Sequence, residues 1–300
     1  MALIVREADL GPRKELGRGG FAVVSLLSQY QLPELPGRAL VYKKYKDKIR
    51  PVSVFGLSQL VDLRHGWEPA RRQQLDAAFN WPVRVVTDDG PGASGVLLPL
   101  LDPSYFVRMT DSYGGVHENP AEGQYLTATR DWCTQRGVPF PTLEQRYALC
   151  YSLVRAVGML HKAEVVYGDL SHKNYLYRLT PKLSVTLVDC DSMRPRGQTS
   201  VLGGLQPHTP DWEPPEALAA KRRNDGIGFA AQNYHTDRYK LGLAILRILA
   251  MDVPRAAEKR DPDLVRRHLP PHLFRLLQAS LTAPPAQRPD ARTWFEEMRR

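Results

Sequence analysis

Along the first hundred residues, short apolar runs alternate with turn residues, which is the pattern of β-strands. Phe21–Leu27 and Ala39–Tyr45 are Val- and Leu-containing runs of strand length. Val83–Thr87 and Gly95–Leu101 flank Asp88-Asp89-Gly90-Pro91-Gly92, a strong turn signal, so the pair is predicted to form a hairpin. Between these strands the spacing predicts a helix near Leu57–Arg64 and a second over Glu68–Phe79. The remainder changes period. Leu143, Tyr147, Cys150, Val154, Val157 and His161 recur every three or four residues, which predicts an amphipathic helix over Leu143–Lys162. Tyr239–Met251 is apolar nearly all round, as a helix buried in a core is. Leu273–Leu281 and Ala291–Met298 read as shorter helices. Gly and Pro punctuate Asp102–Pro141, within which Gln124–Gln135 reads as a helix ended by Gly137. The pattern therefore predicts an α+β chain, with a small antiparallel sheet in residues 1–101 and a larger, mainly helical part in residues 102–300.

Composition narrows this picture a little. Of 300 residues, 43% are hydrophobic and 24% charged, enough apolar material for a packed core. The 41 basic residues outnumber the 32 acidic ones, giving a net charge of +9, which favours polyanionic partners. No run of Lys and Arg is long enough for a nucleic-acid arm, so nucleic acid is not expected as a partner. Cys133, Cys150 and Cys190 are odd in number and far apart, with no metal-ligand spacing, which points to a reducing compartment. Met1–Glu15 holds no apolar stretch long enough for a signal peptide, and Leu241–Met251 is too short and too charged to span a bilayer. A cytoplasmic protein without a membrane span is the expectation. The oligomeric state is left open.

Three stretches carry candidate chemistry. Leu16-Gly17-Arg18-Gly19-Gly20-Phe21-Ala22-Val23-Val24 is a glycine-rich string whose backbone can approach phosphate oxygens, although such strings are also plain hairpin turns. Lys43 lies on a predicted strand with Val41 on the same face. Directly after the long helix, Tyr167-Gly168-Asp169-Leu170-Ser171-His172-Lys173-Asn174 is followed by Val188-Asp189-Cys190-Asp191. Two carboxylates and an amide beside short apolar runs suit a hard cation with oxygen ligands.

In this order the chain resembles the protein-kinase superfamily. Gly17, Gly19, Phe21 and Val24 match the glycine-rich loop, Lys43 the strand lysine, and Asp169 and Asn174 the catalytic-loop pair, five residues apart. Asp189 matches the metal-binding aspartate. Thr209-Pro210-Asp211-Trp212-Glu213-Pro214-Pro215-Glu216 looks like the end of an activation segment, and Asp237, Gly242 and Arg288 match later positions of the large lobe. The details of Trp81-Pro82, Gly168-Asp169-Leu170 and Asp189-Cys190-Asp191 are most similar to bacterial Ser/Thr kinase-like proteins. The resemblance implies a bilobal kinase-like fold using ATP and Mg2+ to phosphorylate a protein Ser/Thr hydroxyl. It implies that Asp169 is the base, that Lys43 holds the α- and β-phosphates, and that Asn174 and Asp189 bind magnesium. It further implies that Val24, Val41, Leu98, Leu100 and Leu176 surround the adenine, and that Glu216, Asp237 and Arg288 are structural, Arg288 pairing with Glu216.

The departures from that family are specific. Ala22 replaces the third glycine, and Tyr167-Gly168 replaces His-Arg, which removes a standard partner for an activation-segment phosphate. Ser171 stands where a lysine is usual, and Lys173 is the candidate to supply that charge near Asp169. Asp191 replaces a glycine and reads either as an extra magnesium ligand or as a turn residue. The helix carboxylate expected to pair with Lys43 has only Asp62 and Glu68 as candidates. Pro99 removes one backbone donor from the expected hinge. A nucleotide-binding pseudokinase acting as a scaffold or regulator is the alternative reading.

Overall fold

The structure is a computed structural model that describes residues 3–195, 197, 198, 201 and 208–300. It is an α+β protein with a mixed sheet, and it divides into two compact units. The first comprises Met1–Leu101 and Asp189–Gln206; the second comprises Asp102–Val188 and Pro207–Arg300. The described residues among 189–206, assigned by sequence to the helical part, thus belong to the unit of the sheet.

Six strands form the sheet of the first unit: β1 (Ile4–Arg6), β2 (Arg13–Arg18), β3 (Ala22–Leu27), β4 (Leu40–Tyr45), β5 (Arg84–Thr87) and β6 (Ala93–Pro99), in the order β1-β5-β6-β4-β3-β2. The expected hairpin is β5–β6, antiparallel, with Arg84 opposite Leu97. Its turn is held by Asp88, which accepts from the Gly90 amide at 3.0 Å and takes both terminal nitrogens of Arg50 at 2.8 and 2.6 Å. The sheet is not purely antiparallel as expected. β1, only three residues long and too short to register as a strand in the sequence, adds parallel to β5 at the edge.

Every residue of β6 is buried, because the sheet carries an apolar layer on each face. Side chains alternate across β4 accordingly. Val41 and Tyr45 join the layer with Leu57, Val61, Val96 and Leu98, while Leu40 and Tyr42 join Leu10, Val83, Val86 and Leu97. Gly95 sits where a Cβ would come 2.2 Å from the Lys43 carbonyl oxygen, so a side chain there would push β4 and β6 apart. Helix α1 (Val54–His65), capped by the Ser53 hydroxyl on the Gly56 amide, covers the first of these layers with Leu57 and Val61. Its Arg64 reaches Asp76 of α2 (Pro69–Ala78) through two bonds of 2.8 and 2.7 Å.

The second unit begins with a hairpin absent from the sequence reading, β7 (Phe106–Thr110) and β8 (Val116–Pro120). The expected helix over Gln124–Gln135 is interrupted. A 3-10 turn over Gly123–Thr127 precedes α3 (Arg130–Arg136), which the Thr129 hydroxyl caps and Gly137 ends in the left-handed region. Helix α4 (Leu143–Lys162) has the predicted bounds, opened by a reciprocal Thr142–Gln145 capping box. A two-residue strand, β9 (Val165–Val166), and the hairpin β10 (Tyr175–Arg178) and β11 (Ser184–Leu187) bracket the loop of 167–174.

After α5 (Pro215–Arg222) and α6 (Gly226–Ala230) comes α7 (Tyr234–Leu249), buried on nearly every side. It starts five residues before the apolar run, because Asn233 caps it with Thr236 returning the bond. Helices α8 (Pro271–Thr282) and α9 (Ala291–Glu297) complete the unit; α7 packs on α4 and α8, and α9 on α4. Among the described residues no helix is long and apolar enough to cross a membrane.

Candidate functional site

In the first unit, β2 runs into β3 through the glycine-rich string. Gly17 lies in β2 at a register irregularity against β3, and the turn closes with the Gly19 amide on the Ala22 carbonyl at 2.9 Å. Lys46 Nζ donates to the Gly19 carbonyl at 2.6 Å, and the Phe21 ring is exposed. Val41 and Leu98 belong to one apolar cluster, and Val24 and Leu100 pack against it, so these four expected adenine contacts share one side of the sheet.

Lys43 projects to the same side of β4 as Val41 and Tyr45. Its Nζ donates to Asp189 Oδ1 at 2.9 Å and to Asp191 Oδ1 at 2.7 Å. Neither expected helix partner is involved: Asp62 and Glu68 are exposed. Asp191 is neither a solvated turn residue nor an open metal ligand. Its side chain is 3% exposed, and its second oxygen accepts the Tyr45 hydroxyl at 2.8 Å. Asp189 differs, with a side chain 55% exposed and a left-handed backbone, φ 53°, opening the short turn Cys190–Ser192. Burial works against the charge on Lys43, but Asp189 and Asp191 outweigh it and raise its pKa. Burial and then Asp191 raise the Tyr45 hydroxyl, which stays a donor. A largely buried ammonium bracketed by two carboxylates keeps its positive charge.

In the second unit the loop of 167–174 is pinned from α7. Asp237, fully buried, accepts the Tyr167 and Gly168 amides, both at 2.9 Å, and His161 lies 3.2 Å from it. Gly168 has φ +81°, a left-handed backbone conformation that favours glycine. Its carbonyl accepts Lys240 Nζ at 2.6 Å, one turn along α7 from Asp237. The Tyr167 hydroxyl donates to the Asn174 and Val188 carbonyls at 2.9 and 2.6 Å, tying the two ends of the β10–β11 hairpin.

Asp169 is the convergence point of this loop. One carboxylate oxygen accepts Asn174 Nδ2 at 2.9 Å; the other accepts the Thr209 hydroxyl at 2.9 Å and lies 4.0 Å from Lys240 Nζ. Burial raises the Asp169 pKa; Lys240, Thr209 and Asn174 oppose it without cancelling it. The cation beside Asp169 is therefore Lys240, fully buried, whereas the Lys173 side chain is exposed. Leu176 is buried in β10. Arg288 holds Glu216 through two bonds of 2.8 and 2.6 Å. Trp212 donates to His172 at 2.9 Å, which joins the loop to the segment carrying Thr209. Much of the segment leading to Thr209 lies outside the described residues.

Sequence reasoning missed Tyr45 and Lys240, and it named Asp191 and Thr209 without their partners Lys43, Tyr45 and Asp169. Period 2 in β4 could have paired Tyr45 with Lys43, and a lysine inside an otherwise apolar helix was a signal for Lys240. Among the described residues no group of three or more His, Cys, Asp and Glu side chains is arranged to hold a metal ion. Compared with known proteins, the chain matches no protein-family model and no curated protein.

Proposed function

We propose that this protein is a kinase-like phosphotransferase that moves the γ-phosphate of ATP to a Ser or Thr hydroxyl of a protein. The observation that carries the reading is the Asp169 carboxylate, partly buried and aimed at an aliphatic hydroxyl, that of Thr209, at 2.9 Å. An acceptor hydroxyl engaged in the same way would have its proton oriented and accepted by Asp169. The acceptor oxygen would form the new bond to phosphorus, the bond to the β-phosphate oxygen would break, and ADP would leave. The Asn174 amide fixes Asp169 from its other oxygen, and Lys240 keeps a positive charge beside it. Lys43, a fixed cation, suits the α- and β-phosphates of ATP.

The resemblance to protein kinases would assign magnesium to Asp189 and Asn174, and each offers a hard oxygen of the kind magnesium takes. Bound magnesium would neutralise phosphate charge. The mixed sheet of the first unit and the helices of the second fit the two lobes of a kinase-like fold.

Incubation with labelled ATP and magnesium, beside Asp169→Asn, tests the reading. Label should reach the protein itself or a generic protein substrate, and the variant should lose at least about a hundredfold in rate, the scale of a general base. Transfer that survives the substitution removes Asp169 from the role; nucleotide binding without transfer makes the chain a pseudokinase.

A further inference from the structure

We propose that Asp191 is the positioning residue for Lys43, so that the phosphate-binding lysine is set by the turn after Asp189 and not by a carboxylate from a helix. The inference rests on the phosphotransfer reading for its consequence, though not for its geometry. Four residues of the first unit make the arrangement: Lys43 and Tyr45 from one face of β4, Asp189 and Asp191 from the turn.

The two carboxylates differ in what they have left to give. Asp191 spends one oxygen on Lys43 and the other on Tyr45, and only 3% of its side chain meets solvent. Asp189 contacts Lys43 through Oδ1 and is 55% exposed. A buried carboxylate with both oxygens bonded is a fixed anchor, because moving it would strand a charge and a hydroxyl away from water. Asp189 can exchange its lysine contact for another cation at little cost, since solvent already reaches it. The geometry thus divides the labour: Asp191 keeps the ammonium in place, and Asp189 remains available to magnesium. Asp62 and Glu68, the acids of the neighbouring helical segment, face solvent. Lysine placement then needs no helix movement, and the site is set without a switch of that kind.

Asp191→Asn keeps the side-chain shape and removes the charge. Equilibrium binding of ATP should weaken by about tenfold or more, with a matching fall in kcat/KM for ATP. Asp191→Glu should recover part of that loss, which a purely structural role would not provide. Asp62→Ala and Glu68→Ala should bind ATP as the unaltered protein does. In a crystal structure of Asp191→Asn, Lys43 Nζ should leave its place beside residue 191. Should Asp191→Asn fail to fold, Tyr45→Phe removes one of the two anchors and should shift ATP binding in the same direction, by about threefold.

Unchanged ATP affinity in Asp191→Asn with Lys43 in place, or a loss of affinity on altering Asp62 or Glu68, overturns the proposal. The phosphotransfer reading fails separately. If the unaltered protein binds ATP but transfers nothing, or binds no ATP, the position of Lys43 in the variant crystal still decides whether Asp191 holds it.

Discussion

Asp169 and Lys240 show how a buried lysine can supply a charge that the loop itself lacks. Gly168 and Ser171 supply no cation, and the exposed Lys173 makes no ion pair with Asp169. Lys240 approaches from beneath, anchored on the Gly168 carbonyl at 2.6 Å. Around Asp169 the facing groups are Lys240 and, through the loop amides, Asp237 with His161, besides the neutral Asn174 and Thr209. Burial raises the pKa of Asp169 and Lys240 lowers it, so removing the ammonium leaves burial less opposed. Lys240→Met should therefore move the acid limb of the kcat–pH profile to higher pH. If Asp169 is the base of the proposed phosphotransfer, the variant should also reduce kcat by roughly tenfold or more while leaving the KM for ATP nearly unchanged, because only the placement of that base is affected. A rise in KM with kcat intact would place Lys240 elsewhere in the chemistry.

At the scale of elements, legibility followed length and capping. Helix α4 was readable to the residue, since its apolar stripe is backed by a Thr142–Gln145 capping box. The stretch of 102–141 was not, because its pieces are five-residue strands, 3-10 turns and a seven-residue helix, each too short to show a period. They hold through tertiary contacts instead, such as Tyr125 stacked on Trp132 at 5.9 Å and the Arg136 guanidinium on the Thr110 carbonyl. Asp169, Asn174 and Asp189 could be singled out from the sequence by their order and spacing, whereas the contacts of Asp191 and Lys240 depend on where β4 and α7 bring partners.

The loop of 167–174 also carries a pH-sensitive joint. His172 accepts the Trp212 indole proton, and burial, then Arg247 and Lys173, push its pKa down from 6.5 to about 4. A depressed histidine pKa means that, as pH falls below 6.5, the unfolded chain takes up a proton that the folded one refuses. Stability is then lost between that pH and about 4, and no further below it. Part of the ring is solvent-accessible, so the loss is on the order of 2 kcal/mol. Urea unfolding of the protein and of His172→Asn, compared at about pH 7.5 and about pH 4.5, should show the variant losing less stability by that amount. Equal losses in both would remove His172 from the acid response.

Over the whole molecule, contacts between residues distant in the chain decide what single elements cannot. The Glu216–Arg288 pair joins the first turn of α5 to the segment before α9, 72 residues away, and Arg288 also donates to the His235 carbonyl at the start of α7. Three helices thus meet at one guanidinium, whose side chain is 2% exposed while that of Glu216 is 35% exposed. The asymmetry sets the expected energetics. Arg288→Ala removes three hydrogen bonds and leaves a carboxylate that water can still reach, costing about 3 kcal/mol, near the low end for breaking a buried pair. Glu216→Gln leaves a buried guanidinium with a weaker acceptor, costing about 1 kcal/mol. Because the residues share two bonds, the double variant should cost less than the sum by roughly 1 kcal/mol. Chemical denaturation of the four proteins measures this coupling. A sum that is simply additive would mean that the pair contributes nothing of its own and that Arg288 acts through the His235 carbonyl.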